Sequence, residues 1–238
     1  MRALICAIAR NEGKYIRDFC EYHLGLGFDE IHIYDNGTEI PITHDDVVTH
    51  DLTKFDGKCP QMEAYRQMLK YDDYDWCAFI DIDEFITLNG YSNIHDLLEG
   101  LPSGTDAVAM EETIYGDSGQ IIPEHPELPV YERLTIPSDY ISCYKKFIIN
   151  RASDITMPTP HHIKVNGGSV KPNIVDLYYG CHIRHYKTKT LSEFCDQKLN
   201  TPRVFNQTEK RKLSYYFRIN EKTPEKIAYL KSRGIEIE

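Results

Sequence analysis

Between Trp76 and Phe85 the chain reads Trp-Cys-Ala-Phe-Ile-Asp-Ile-Asp-Glu-Phe. A short apolar, aromatic run of this kind predicts a buried strand. In an open α/β sheet such a strand delivers ligand-binding groups at its carboxyl end. If the strand continues through the two aspartates, Asp81 and Asp83 point the same way and converge. Two neighbouring carboxylates repel and resist desolvation unless a positive charge sits with them. The simplest occupant is a hard divalent cation, Mg²⁺ or Mn²⁺, which takes oxygen ligands and keeps positions open for phosphates. Asp-x-Asp is also common in ordinary polar turns, so its meaning depends on the rest of the chain.

At 238 residues and 41% apolar content the chain can build one sizeable core. It carries no apolar run long enough for a membrane span, and Met1–Ala9 is too short for a signal peptide and leads into charged residues. The expectation is a soluble, cytoplasmic protein, at most peripheral to a membrane. Seven cysteines without metal-finger spacing suit a reducing compartment. A net charge of −10 argues against general nucleic-acid binding, though not against a nucleotide held through a metal. Seventeen tyrosines suit a sugar groove, but they fill cores equally well.

Ala3–Ala9 is an apolar strand that breaks at Arg10-Asn11-Glu12-Gly13. Ile16, Phe19, Cys20, His23 and Leu24 then recur at helical spacing, and Glu30–Tyr34 makes a second strand closed by Asp35-Asn36-Gly37. Strand, helix and strand in so few residues form a βαβ unit, which predicts a mostly parallel sheet flanked by helices. Asp46–Thr49 reads as a third strand, and Pro60 opens a helix over Gln61–Leu69. Neither a dinucleotide fingerprint nor a phosphate-loop lysine is present. Glu12 and Asp35 suit contacts to a base or ribose, and equally the capping of a helix and a turn.

Further on, Asn93–Leu98 reads as a short helix capped by Ser92 or Asn93, and Asp106–Glu112 as a strand. Ile121–Pro137, with its prolines, reads as a long loop, and Ile141–Asn150 as a strand. Ser153–Pro160 reads as a loop before His161-His162, and Asn166-Gly167-Gly168 as a turn. Tyr178–Tyr186 is strand-like and holds His182, Arg184 and His185. Leu191–Lys198 and Lys210–Arg218 have helical patterns, and basic residues outnumber acidic ones from Arg203 to Arg233.

Four blocks in this order carry a resemblance: Ile5–Gly13 with Tyr22-His23, Ile33–Asn36, Phe79–Phe85 and Ile183–Lys189. Together they resemble the glycosyltransferase family 2 / family 92-like group over roughly residues 3–200. The resemblance implies a GT-A fold: α/β, a single domain with a mixed, mostly parallel central sheet flanked by helices. It divides the chain into a transferase domain at 1–200 (nucleotide-binding half 1–90, acceptor-side half 91–200) and a basic helical C-terminal extension at 201–238. It implies a metal-dependent, inverting enzyme that moves a sugar from a nucleotide-sugar donor, UDP-linked by preference, to a hydroxyl of a glycan or lipid-linked acceptor, as in capsule or lipopolysaccharide synthesis.

By the same resemblance Asp83 is the main metal ligand, Asp81 faces the ribose or reaches Mn²⁺ or Mg²⁺ through water, and His185 completes the sphere. Asn11, Glu12 and Asp35 line the nucleotide pocket, Arg10 or Lys58 meets phosphate, and Gln61 makes a polar contact at its helix start. An inverting transfer needs a base on the acceptor side, for which the candidates are Asp117, then Glu112, with Glu111 beside it. Asp117 stands in Tyr-Gly-Asp-Ser-Gly, where the group's loop usually has serine. His161 and His162 match a His-His at the rim of the group's active sites. His23 reads as a packing histidine, His182 as structural or functional, and Lys187 and Lys189 as phosphate contacts or solvated side chains. The basic C-terminal region offers a surface for anionic lipid at the inner face of the membrane, or an ordinary solvated helix. The competing readings are a nucleotidyltransferase or phosphotransferase on a similar sheet, and a non-catalytic carbohydrate-binding protein.

Overall fold

The computed structural model describes residues 1–38, 42, 44, 47–168, 170–177, 180–199 and 211–237. In chain order the first elements are β1 (Ala3–Ala9), α1 (Gly13–Gly25), β2 (Glu30–Asp35), β3 (Val47–Asp51), α2 (Pro60–Lys70), β4 (Trp76–Phe79), β5 (Glu84–Leu88), α3 (Ile94–Glu99) and β6 (Ala107–Tyr115). Then come α4 (Val130–Arg133), β7 (Pro137–Asn150), β8 (Ile155–Thr159), β9 (His162–Val165), β10 (Ile174–Asp176), β11 (Cys181–His185), α5 (Leu191–Gln197), α6 (Leu213–Tyr216) and α7 (Pro224–Ser232). The chain is mixed α/β with a mostly parallel central sheet and flanking helices. It divides into two compact units, residues 1–112 with 143–183, and residues 113–142 with 184–238.

In the first unit the strand order is β3-β2-β1-β4-β7-β6-β11-β5, with β10 paired to β6. β1 lies parallel between β2 and β4, Ile5 opposite Ile31 on one side and Ala78 on the other. A strand enclosed on both edges and both faces has no solvent side, which is why Ala3–Ala7 are all apolar and buried. β4 pairs antiparallel with β7, Phe79 opposite Phe147 and Trp76 opposite Asn150. α1 buries Tyr15, Ile16, Phe19, Cys20 and His23 along one stripe. It is followed by Gly27 at φ +90°, where a side chain would also crowd the Asn93 Cβ. α2 begins on Pro60, whose missing N–H costs nothing at a helix start.

The predicted strand through Asp81 and Asp83 stops early. β4 ends at Phe79, Ile82 and Asp83 form a turn, and β5 starts at Glu84. The Glu84 N–H donates to the Asp81 carbonyl at 3.0 Å, and the Glu84 side chain accepts the Asp81 N–H at 2.9 Å. This local pairing takes the backbone groups that a continuing strand would need for its ladder. α3 matches its prediction, with the Asn93 side chain accepting the Asp96 N–H at 3.0 Å. β8 occupies most of what reads as a proline loop and pairs with β9 in a separate two-stranded sheet. β3 starts from Val47 among the described residues, and Asp46, Tyr178 and Lys210 lie outside them.

The second unit has its own core, with Leu191, Phe194, Leu213, Tyr216 and Leu230 buried together. α5 opens with a capping box between Thr190 and Glu193. Glu193 also pairs with the buried Arg133 of α4, the short helix inside the predicted loop. α7, inside the stretch expected to be helical, starts at Pro224 with Thr223 as its cap. Residues 211–237 fall in the same compact unit as 113–142 and 184–199.

Candidate functional site

The acidic turn after β4 is organised by a lysine from β7. Lys146 Nζ lies 2.9 Å from Asp81 Oδ2 and 3.3 Å from a Glu84 oxygen, and neither Lys146 nor Glu84 has any solvent exposure. Burial by itself lowers a lysine pKa, but Asp81 and Glu84 outweigh it and hold the Lys146 ammonium well above the ordinary range. The other Asp81 oxygen accepts from Gln61 Nε2 at 2.5 Å, and the same amide donates to the Tyr65 hydroxyl at 3.1 Å. Gln61 is placed by the first turn of α2, and Lys146 by the antiparallel register of β4 with β7. Asp81 is thus held at both oxygens, while 31% of its side chain stays open. Asp83, half-buried, lies two residues on in the same turn.

Two carboxylates meet one ammonium at this turn, and Asp83 adds a third acidic residue to it, so the turn is oxygen-rich with excess formal negative charge. That set fits a hard divalent cation.

His161 belongs to the same unit. Its Nδ1 donates to the Lys145 carbonyl at 3.1 Å, and its ring packs on Tyr144 with centroids 4.5 Å apart. Burial pushes its pKa below the ordinary imidazole value, and Lys146 adds to that, against smaller opposing effects from Glu112 and Asp81. His162 is exposed and bonded through Nδ1 to Thr159 Oγ1 at 2.9 Å. Glu112 is buried near the end of β6, and Glu111 pairs with Lys145 at 3.2 Å.

The remaining first-unit candidates divide. Asp35 caps its own turn, accepting from the N–H groups of Gly37 at 3.1 Å and Thr38 at 2.7 Å. Glu12 precedes α1 without a capping side-chain bond, so the helix does not account for its carboxylate. Asn11 sits at φ +56°, a left-handed conformation that asparagine tolerates. Arg10 and Lys58 are exposed in loops. His23 is a packing histidine: Nδ1 donates to the Phe19 carbonyl at 2.8 Å, and Nε2 accepts the Ile86 N–H at 3.2 Å.

In the second unit Asp117 is buried and heavily engaged. It pairs with Lys226 Nζ at 2.5 Å, accepts the Tyr216 hydroxyl, and accepts the Gly119 N–H at 2.8 Å. Its own N–H donates to Asn220 Oδ1 at 2.6 Å. These bonds tie the 116–119 loop to α6 and α7. His185 is buried at the end of β11, His182 is half-buried earlier in that strand, and Lys189 is buried rather than solvated. The Lys187 carbonyl accepts from Lys198 Nζ at 2.8 Å.

Lys146 and Glu84 are the organising residues that sequence reasoning missed. One signal was available: in Tyr-Lys-Lys-Phe-Ile-Ile, Lys146 is in phase with Ile148, so strand alternation places it on a core-facing position.

No protein-family model matches the chain. It is 24% identical over 208 residues to a glycosyltransferase family 92 protein of Oryza sativa subsp. japonica, covering 81% of this chain and 34% of the relative. It is 26% identical over 118 residues to a glycosyltransferase family 92 protein of Ricinus communis, covering 44% of this chain and 20% of that one. The chain thus spans about a third or less of the length of these curated relatives. Among solved structures it has a likeness to residues 1–349 of S. aureus TarS, with a TM-score of 0.48, 14% identity, and coverage of 78% of this chain and 60% of that one. A weaker likeness, TM-score 0.37 at 12% identity, is to mannosyl-3-phosphoglycerate synthase from Rubrobacter xylanophilus, covering 63% of this chain and 53% of that one. Over most of its length the chain is similar in sequence to glycosyltransferase family 92 proteins.

Proposed function

We propose that this chain is a metal-dependent, inverting glycosyltransferase of GT-A type, which moves a sugar from a nucleotide-sugar donor to a hydroxyl of a glycan or lipid-linked acceptor. The observation that carries the reading is the turn after β4, where Asp81 is fixed by Lys146 and Gln61 and Asp83 follows two residues later. The sequence similarity to glycosyltransferase family 92 proteins supports it.

In this reading Asp83 holds Mn²⁺ or Mg²⁺. Asp81 would accept a ribose hydroxyl or face the metal through water. The metal supplies positive charge against the diphosphate that leaves. Lys146 and Gln61 keep the Asp81 carboxylate in one orientation, so little is reorganised when the donor binds. UDP is the favoured nucleotide, with Asn11, Glu12 and Asp35 at the base and ribose and Lys58 near phosphate. The family resemblance also names His185 as a ligand.

The acceptor oxygen attacks the anomeric carbon, the bond from that carbon to the diphosphate oxygen breaks with its electron pair leaving on the diphosphate, and the hydroxyl proton passes to a base. Glu112 is the better candidate, because both Asp117 oxygens already serve Lys226, Tyr216 and Gly119. Among the described residues no helix is long and apolar enough to cross a membrane. A cytoplasmic location, with the basic C-terminal region at 201–238 against anionic lipid, belongs to the same proposal, as does a role in making surface polysaccharide.

Calorimetric titration with a panel of nucleoside diphosphates, with and without Mn²⁺, on the wild type and Asp83→Ala tests the reading. Binding of one nucleotide that needs Mn²⁺ and disappears in the variant is expected. No binding of any nucleotide under either condition would remove the donor site.

A further inference from the structure

Beside the acidic turn, the side chains of His161 and Tyr144 stand together. A carbonyl oxygen only accepts, so His161 Nδ1, 3.1 Å from the Lys145 carbonyl, carries the ring proton. In the neutral ring Nε2 is then the acceptor, and its tautomer is set before any ligand arrives. The environment keeps the ring neutral, since burial and Lys146 both oppose a second proton. Thr159 Oγ1 accepts the His161 N–H at 3.2 Å and bonds His162 at 2.9 Å, which fixes the turn that carries the ring.

Tyr144 completes the arrangement. Its ring leans on His161 at an interplanar angle of 31°, yet the residue remains 48% exposed. Strand alternation puts Tyr144 on the same face of β7 as Lys146, one step further along from Asp81. His161 also feels the charges of Asp81, Glu112 and Lys146. A half-exposed tyrosine next to a fixed acceptor, at the margin of the acidic turn, therefore lies within one unit.

A pyranose presents an apolar C–H face and a rim of hydroxyl donors, which match an aromatic plane and an acceptor. We propose that Tyr144 and His161 form a saccharide subsite: the sugar ring stacks on Tyr144, and a hydroxyl donates to His161 Nε2. Assigning that sugar to the acceptor, rather than to some other glycan ligand, rests on the glycosyltransferase reading. A nucleobase also stacks on tyrosine, and the experiment separates the two.

The test is saturation-transfer NMR with methyl glycosides of glucose, galactose, mannose and N-acetylglucosamine. It uses the wild type, Tyr144→Ala, Tyr144→Phe, His161→Ala and His161→Gln, each checked for an unchanged unfolding midpoint. UDP with Mn²⁺ is titrated into the same samples. At least one glycoside is expected to bind the wild type, to weaken about tenfold in Tyr144→Ala and His161→Ala, and to be retained in Tyr144→Phe, with partial recovery in His161→Gln. UDP affinity should be the same in all five. The subsite is overturned if no glycoside binds the wild type, if the alanine variants bind as the wild type does, or if Tyr144→Ala loses UDP instead. Glycoside binding without UDP binding would retain the subsite and remove the donor site, so the two readings fail separately.

Discussion

Lys146 donates to Asp81 across 65 residues of sequence, at 2.9 Å, from a position with no solvent exposure. The ammonium also lies 3.3 Å from Glu84, so one lysine balances two carboxylates on either side of the turn. Removing a single member of a buried pair leaves an uncompensated charge, which is far costlier than the net worth of the pair.

Lys146→Met is accordingly expected to destabilise the protein by about 3–5 kcal/mol in chemical denaturation. Adding Glu84→Gln should restore part of that loss, because only Asp81 then lacks its partner charge. A single variant as stable as the wild type would show that Lys146 does not balance these carboxylates.

Stability should fall as the solution is acidified below neutrality. Burial pushes His23 down to about 3 from 6.5, and it lowers His32 and His50 as well. All three bind a proton more weakly folded than unfolded, so the unfolded state gains protons first as pH falls. The stability they contribute is complete above the unfolded value of 6.5 and, for His23, is lost progressively down to about 3. Between about pH 6.5 and pH 5, where most carboxylates remain ionised, urea denaturation should show a loss from His23 approaching 1.4 kcal/mol per pH unit. His23→Gln should flatten that slope, and an unchanged slope would contradict the neutral, doubly bonded ring.

Asp117 and Glu112 should separate stability from rate. Asp117→Ala leaves Lys226 buried without its carboxylate, and about 3–5 kcal/mol should be lost in denaturation. A normal midpoint with lost turnover would instead identify Asp117 as the base.

Glu112→Gln is expected to keep its fold and UDP affinity while kcat falls about 10²–10⁴-fold, the usual contribution of a general base. Turnover within a few-fold of the wild type would exclude Glu112 from that role. The measurement is initial-rate kinetics on whichever donor the nucleotide titration selects.

Gly116 sets a tighter constraint, since a Cβ there would lie 2.8 Å from Asn220 Oδ1. Asn220 also accepts the Asp117 N–H and donates to Thr188 Oγ1 at 3.0 Å, so it has little freedom to move. Gly116→Ala should lower stability by about 1–3 kcal/mol. Pairing it with Asn220→Ala should remove much of the added cost in a double-mutant comparison.

By itself the sequence determined the parts whose signals are local. The apolar run of β1, the stripe of α1, Pro60 at the start of α2 and Asn93 at the start of α3 are each set by residues within a few positions of one another. The acidic pair was legible for the same reason. Tertiary structure decided what that pair does. The turn that ends β4 is closed locally by Glu84 bonding back to Asp81, but the charge opposite Asp81 depended on β7 lying antiparallel to β4. It likewise decided that Asp117 is tied to Lys226 and Tyr216, residues about a hundred positions away. Periodicity encodes which face of an element is buried; it carries no record of which distant polar group meets it there, because that pairing is set by strand register and packing.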